Sequence, residues 1–277
     1  MRVLFLVPGG LSAQLDVLPA AAKVAEVLNA QVQVACDPKA AAAWSLLPAL
    51  EKVIPFAFGE SPTLADWANL LGNVREPDFQ ACINLAQGRQ VDLMLSMSHI
   101  PNRVATGGFS ATSTVTADHG WAPQAMAAFL RPLGIELNAQ QFRLALPKAA
   151  LEKAAAAMPS GQGPALLLSP SGHQQDWPAD RWQALPAAIR TKLSDLRVVE
   201  ASSGSLLERA SQMANCDVVL SSDPISTALA LFSGMPLVAI GAEASALPER
   251  EGVKAVGQAG ALGALEPTAV LQALGLG

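Results

Sequence analysis

The sequence predicts an α/β protein made of two Rossmann-like domains, each a doubly wound parallel sheet, facing one another across a hinge. Three observations predict it. The chain has 277 residues, more than one compact core usually holds. Short runs rich in β-branched residues alternate with longer stretches rich in Ala and Leu, the rhythm of βαβ units. That rhythm then breaks off and restarts, with a second series of apolar runs beginning at Ala165.

In the first series, residues 3–7 read as a strand, 17–28 as a helix, 32–36 as a strand, 40–50 as a helix and 52–56 as a strand. Parallel strands covered on both faces read as unbroken apolar runs. Residues 3–7 satisfy that, and 91–95 are assigned as a further strand interrupted only by Asp92. The second series has strands at 165–169, 196–200, 217–220 and 237–240, with helical patterns between them. Between the series, residues 133–160 carry Gly134, Pro147 and Pro159 in a mixed polar stretch. The hinge is expected there, with domains at 1–158 and 159–277.

Composition excludes several classes of function. Hydrophobic residues make up 51% of the chain, yet no uninterrupted apolar stretch is long enough to span a membrane. Residues 1–7 hold too short an apolar run for a secretory signal and read as the first strand. The three cysteines, Cys36, Cys82 and Cys216, lack CxxC spacing, so neither a disulfide framework nor a metal site is expected, and the expected location is cytoplasmic. A net charge of −5, only 18 Lys plus Arg, and no tyrosine argue against a nucleic-acid surface. A small molecule or another protein is the expected partner.

In an open α/β sheet, ligands bind beyond the carboxyl ends of the strands, where helix N-termini offer unpaired N–H groups. Four loops therefore carry the candidate chemistry: 8–13, 96–103, 169–176 and 221–227. The first contains Gly9, Gly10 and Ser12. The second contains His99, and a further histidine, His119, follows Asp118; either imidazole is a base suited to neutral pH, although loop histidines more often serve only local structure. The third contains Ser169, Ser171, Gly172, His173 and Gln175, whose polar groups suit phosphate oxygens; its alternative reading is a plain connection in which Asp176 or Asp180 caps the next helix. In the fourth, Ser222, Asp223, Ser226 and Thr227 surround a helix start with Pro224 in its first turn. Either Asp223 and Ser226 only cap the helix, or its N–H groups and hydroxyls receive a diphosphate. The second case requires Asp223 to turn into the helix, because an outward carboxylate would repel the phosphate. P-loop, dinucleotide, zinc-protease and serine-hydrolase fingerprints are absent.

Several fixed frames occur in order: Leu18-Pro-Ala-Ala, Lys52-Val-Ile-Pro-Phe, Leu133-Gly-Ile, Trp177-Pro with Arg181-Trp, and Cys216-Asp-Val-Val-Leu-Ser-Ser-Asp with Gly234-Met-Pro. Together they make the chain resemble the family 9 glycosyltransferases, the heptosyltransferase-like enzymes of GT-B architecture. The resemblance implies metal-independent transfer of a sugar, typically heptose from ADP-heptose, to a lipopolysaccharide-like acceptor. It places the nucleotide sugar on the C-terminal domain and the glycan on the N-terminal one. The nucleotide sugar is then a co-substrate and no cofactor is expected. The chain departs from the family at three places. Ala13 stands where the family has a candidate general base Asp, leaving Asp16 as a displaced substitute. Gln175 replaces a Lys before Trp-Pro. Pro224 and Ile225 alter the last loop, where Asp223 alone matches. Two functions follow: an active transferase that uses Asp16, His99 or His119, or a catalytically silent relative that binds a ligand or a protein. Peripheral contact with a membrane is compatible with the first.

Overall fold

The computed structural model describes residues 1–277, and the chain divides into two compact units, Met1–Phe142 and Arg143–Gly277. Each is a parallel sheet flanked by helices.

In the first unit the strands are β1 (Arg2–Val7), β2 (Gln31–Cys36), β3 (Leu50–Pro55), β4 (Phe79–Asn84), β5 (Asn102–Ala105) and β6 (Ser113–Thr114). All pair in parallel in the order β3-β2-β1-β4-β5-β6. Residues 3–7 are all buried, as a central strand with covered faces requires. Leu4 and Leu6 pack with Leu70 and Val74 of α2 (Leu64–Arg75) and with Met94 and Leu95 of α3 (Arg89–Ser96). Successive strand residues point to opposite faces, and α1 (Leu11–Leu28) packs against β1. Thr63 starts α2 with a capping box: its hydroxyl accepts from the Asp66 N–H while the Asp66 carboxylate accepts from the Thr63 N–H.

Two sequence expectations fail in this unit. Residues 91–95, assigned as a strand, lie in α3: Val91, Asp92, Met94 and Leu95 are buried while Leu93 is exposed, the spacing of one helix face. The strand that belongs beside β1 is β4, and it and β5 were not assigned from sequence. Residues 40–50 are not an α-helix either; Pro38–Leu46 form a 3-10 helix and Leu50 already begins β3.

The second unit contains β7 (Ala165–Ser169), β8 (Arg197–Glu200), β9 (Val218–Ser221), β10 (Leu237–Ile240) and β11 (Val253–Val256), in the order β11-β10-β9-β7-β8. Four of these match the sequence reading closely. One face packs Leu166, Leu168, Leu220 and Val238 against Trp182 and Leu185 of α7 (Ala179–Arg190) and Val270 of α10 (Pro267–Ala273). Across the sheet lie α8 (Leu206–Met213) and α9 (Pro224–Phe232).

The division at Phe142 falls inside the expected hinge, ahead of residue 158. Two short helices, α4 (Ala122–Ala125) and α5 (Ala127–Leu130), close the first unit, and α6 (Lys148–Ala156) belongs to the second: Asn215 donates to the Leu151 carbonyl at 3.2 Å, and Lys153 pairs with Glu208 at 2.8 Å. Sequence punctuation located the stretch, but only these contacts assign the helix to a side.

At the mouth of β7, a Cβ on Gly163 would sit 2.1 Å from the Asp195 carbonyl oxygen. Beside it, the Arg197 guanidinium donates to the Gly163 carbonyl at 2.7 Å, and the Arg197 N–H to Pro164 at 2.9 Å. Gly163→Ala is therefore expected to push β8 off β7 and to cost about 2 kcal/mol, measured by urea denaturation; an unchanged midpoint would refute the close approach.

Candidate functional site

Both sheets reverse strand order once, and each reversal opens a crevice at the carboxyl ends of two strands. In the first unit this point lies between β1 and β4, in the second between β7 and β9. A cavity opens at the first, and another extends from the carboxyl ends of β7 and β8 to the second, which it meets at Ser169 and Asp223.

The larger, about 910 Å3, lies in the second unit. The sequence-predicted Ser169, Ser171, Gly172, His173 and Asp223 line it; Gln175, Ser222, Ser226 and Thr227 do not. The loop after β7 is folded on itself. Gly172 and Trp177 N–H groups donate to Asp176 at 3.1 and 2.6 Å, and the Ser171 N–H donates to the Ser222 hydroxyl at 2.9 Å. Burial pushes the Asp176 carboxyl up, but hydrogen bonds led by Ser222 outweigh it and hold the group below the usual range. Asp176 therefore braces its own loop, while α7 starts without a side-chain cap.

Asp223 turns into α9, as the phosphate reading required. Its carboxylate accepts from the Ile225 and Ser226 N–H groups at 3.3 and 3.0 Å and from the Ser226 hydroxyl at 2.7 Å. Pro224 has no N–H, and the Thr227 N–H bonds to the Asp223 carbonyl. The first-turn donors that the sequence reading offered to a diphosphate are thus already engaged, because a carboxylate at the N-cap reaches them first. Ser226 is fully buried and receives the Ser169 hydroxyl proton at 2.7 Å, so both serines serve the loop's own network.

Sequence reasoning missed Arg209. It lines the same cavity, donates from Nη1 to Asp223 at 3.1 Å and to Ser226 at 3.3 Å, and from Nε to the Ser202 carbonyl at 2.9 Å. Its position follows from the Ser205–Glu208 capping box that starts α8, a signal visible in the sequence as Ser-x-x-Glu before the arginine.

The cavity of the first unit, about 490 Å3, is lined by Pro8 and Gly9 after β1, by Phe58 and Trp67, and by Gln87 and Gln90 after β4. No ionisable side chain lines it. Phe56 holds the two aromatic rings in place, with centroids 4.8 and 4.7 Å from its own. Gly9 has φ of +94°, and its absent Cβ would stand 3.0 Å from that of Ala13. The turn is fixed by Gln14, fully buried, which donates to the Val7 and Gly9 carbonyls at 3.0 and 3.1 Å and accepts from the Trp44 indole at 2.8 Å.

Ser12, expected in this loop, lies in the first turn of α1, which begins at Leu11. Asp16 is on the same helix, has no hydrogen-bond or ion-pair partner, and burial raises its pKa from 3.8 to about 6. His99 is removed from the candidates: it lies between α3 and β5, at the amino ends of the strands, and meets Arg75 at 3.3 Å. The misassigned strand at 91–95 had inverted that loop. His119 follows β6, in a pocket of about 470 Å3 with the Asp118–Arg131 pair, which closes at 2.7 Å. Asp16, His99 and His119 do not line the cavity of the first unit.

The two-sheet architecture has solved counterparts. The structure of E. coli ADP-heptose LPS heptosyltransferase II covers 99% of this chain and 98% of its own, with a TM-score of 0.72 and 16% identity. This is a GT-B glycosyltransferase fold. E. coli heptosyltransferase WaaC, solved with ADP-2-deoxy-2-fluoro heptose, covers 99% of both chains at a TM-score of 0.71 and 16% identity. A family 9 glycosyltransferase from Veillonella parvula covers 99% of this chain and 96% of its own, at 0.76 and 12%. No family model matches the sequence, and no curated protein is similar to it in sequence. No helix of this GT-B chain is long and apolar enough to cross a membrane.

Because the folded Asp16 binds its proton more tightly than the unfolded one, the stability it contributes is fully present below 3.8 and is lost as pH rises through about 6. Asp16→Asn should therefore melt higher than the parent at pH 8, the difference vanishing near pH 4 in thermal scans. An equal melting temperature at pH 8 would remove the buried-carboxylate argument. Gln14→Ala strands two carbonyls and an indole N–H and should cost about 3 kcal/mol in chemical denaturation; a loss below about 1 kcal/mol would show that the turn holds without it.

Proposed function

We propose that the protein is a glycosyltransferase that takes a sugar of heptose type from a nucleotide-sugar donor to a glycan or lipopolysaccharide-like acceptor, without a metal. The observation that carries the proposal is the pair of cavities at the carboxyl ends of the strands, one in each unit of a GT-B fold. The donor is assigned to the 910 Å3 cavity, which is large enough for a nucleotide sugar and holds Arg209 and His173. The fold neighbour WaaC was solved with ADP and with an ADP-heptose analogue, which supports this choice of donor. The acceptor is assigned to the smaller cavity, where aromatic faces and amide side chains suit a sugar ring.

In the reaction an acceptor hydroxyl attacks the anomeric carbon, the bond to the nucleotide diphosphate breaks, and configuration inverts. No titratable side chain lines the acceptor cavity, so no base is assigned to the attacking hydroxyl; Asp16, whose pKa burial raises to about 6, lies on α1, the helix that follows the Gly9 turn. His119 lies in a separate pocket with the Asp118–Arg131 pair.

A silent relative that binds a nucleotide or a protein is the other reading, and a specific observation favours it. Ala13 has no proton-accepting group, Gln175 has no charge, and the α9 N–H groups are already bonded to Asp223. Incubation with ADP-heptose and with UDP- and GDP-sugars over an acceptor panel separates the two. Transfer is expected from one of these donors, with the product detected by mass. ADP binding without turnover or donor hydrolysis would leave only the silent reading, and absence of ADP binding would leave only a protein-binding role.

A further inference from the structure

Four ionisable side chains besides His173 line the cavity of the second unit: Asp176, Glu200, Arg209 and Asp223. Three are acidic, so the cavity accepts an anion only if those carboxylates are turned aside and the cation stays accessible. Asp176 is pinned by the Gly172 and Trp177 N–H groups, and Asp223 by the first turn of α9. Glu200 lies at the exposed end of β8, the sheet's edge strand.

Arg209 differs from them. Its side chain keeps 21% of its surface exposed, and its partners occupy Nε and Nη1 only, leaving Nη2 with both protons unassigned. A guanidinium held at Nε and Nη1 is fixed in direction, and the two remaining Nη2 protons can each donate to a phosphate oxygen. The same residue pairs with Asp223 at 3.1 Å, which offsets part of the repulsion that carboxylate would exert on an anion.

We infer that Arg209 is the diphosphate-binding residue of this cavity, and that the anion seat lies at Nη2 of its guanidinium rather than on the N-terminus of α9. The inference rests on the nucleotide-sugar reading and specifies which group meets the leaving diphosphate. Asp223 competes with the ligand for the guanidinium, so the carboxylate sets the affinity of the seat.

The test is calorimetric titration of the full chain with ADP, with inorganic diphosphate and with adenosine, for the parent, Arg209→Gln and Asp223→Asn. Losing a charge-assisted contact should weaken ADP and diphosphate binding by tenfold or more in Arg209→Gln while leaving adenosine unchanged. If the parent binds ADP and Arg209→Gln binds it within twofold, Arg209 is only a structural partner of Asp223 and the inference falls, while the nucleotide reading stands. If the parent binds neither ADP nor diphosphate, both fall. Should Arg209→Gln not fold, Asp223→Asn decides: asparagine still caps α9 and frees the guanidinium, so ADP affinity should rise severalfold, and an unchanged or lower affinity would overturn the inference.

Discussion

The reversal of strand order is the constraint on which the rest of the molecule depends. In a parallel sheet every strand delivers its carboxyl end to one edge, and where neighbouring connections wind in opposite senses the loops separate and leave a crevice. Between β1 and β4 that crevice is bounded by Pro8, Gly9, Gln87 and Gln90; between β7 and β9 it is bounded by Ser169, Gly172 and Asp223. The amino ends of the strands lie at the opposite edge. His99 belongs to that edge and is removed from the chemistry by topology alone, whatever the reactivity of its imidazole.

Within the second crevice one carboxylate organises its surroundings. Asp223 caps α9, takes the Ser226 hydroxyl proton and holds the Arg209 guanidinium, while Ser226 in turn receives Ser169. A cap satisfied this fully stabilises the helix start and removes its N–H groups from competition for an external anion. The cavity keeps a positive group only because α8 brings Arg209 to the same place. The electrostatic character of the site is therefore set by three elements that are separate in sequence. The first crevice has the opposite character: neutral lining, two aromatic rings packed against Phe56, and a turn held from below by Gln14. The titratable group closest to it in sequence, Asp16, owes its raised pKa to burial and not to a partner.

Much of the architecture was legible because local rules settle it. An unbroken apolar run marked β1, since a strand covered on both faces tolerates little else, and short β-rich runs marked β2, β7 and β10. Asp223 followed by Pro224 marked the start of α9, because both residues suit a helix entry and little else. The segment 91–95 was not legible: a short apolar run has no period of its own, and only the burial of Val91, Met94 and Leu95 against the sheet shows it to be a helix. That single misassignment turned the His99 loop end for end and hid β4 and β5.

The sequence by itself determined the α/β class, the two series of strands, the loops after β1, β7 and β9, and the substitutions Ala13 and Gln175, because each depends on residue type or on spacing over one element. Tertiary structure decided that α6 joins the second unit, that Asp223 spends its carboxylate on its own helix, that Arg209 reaches the cavity and that Asp16 is desolvated. Those outcomes depend on distances between groups many residues apart, and no local pattern encodes them.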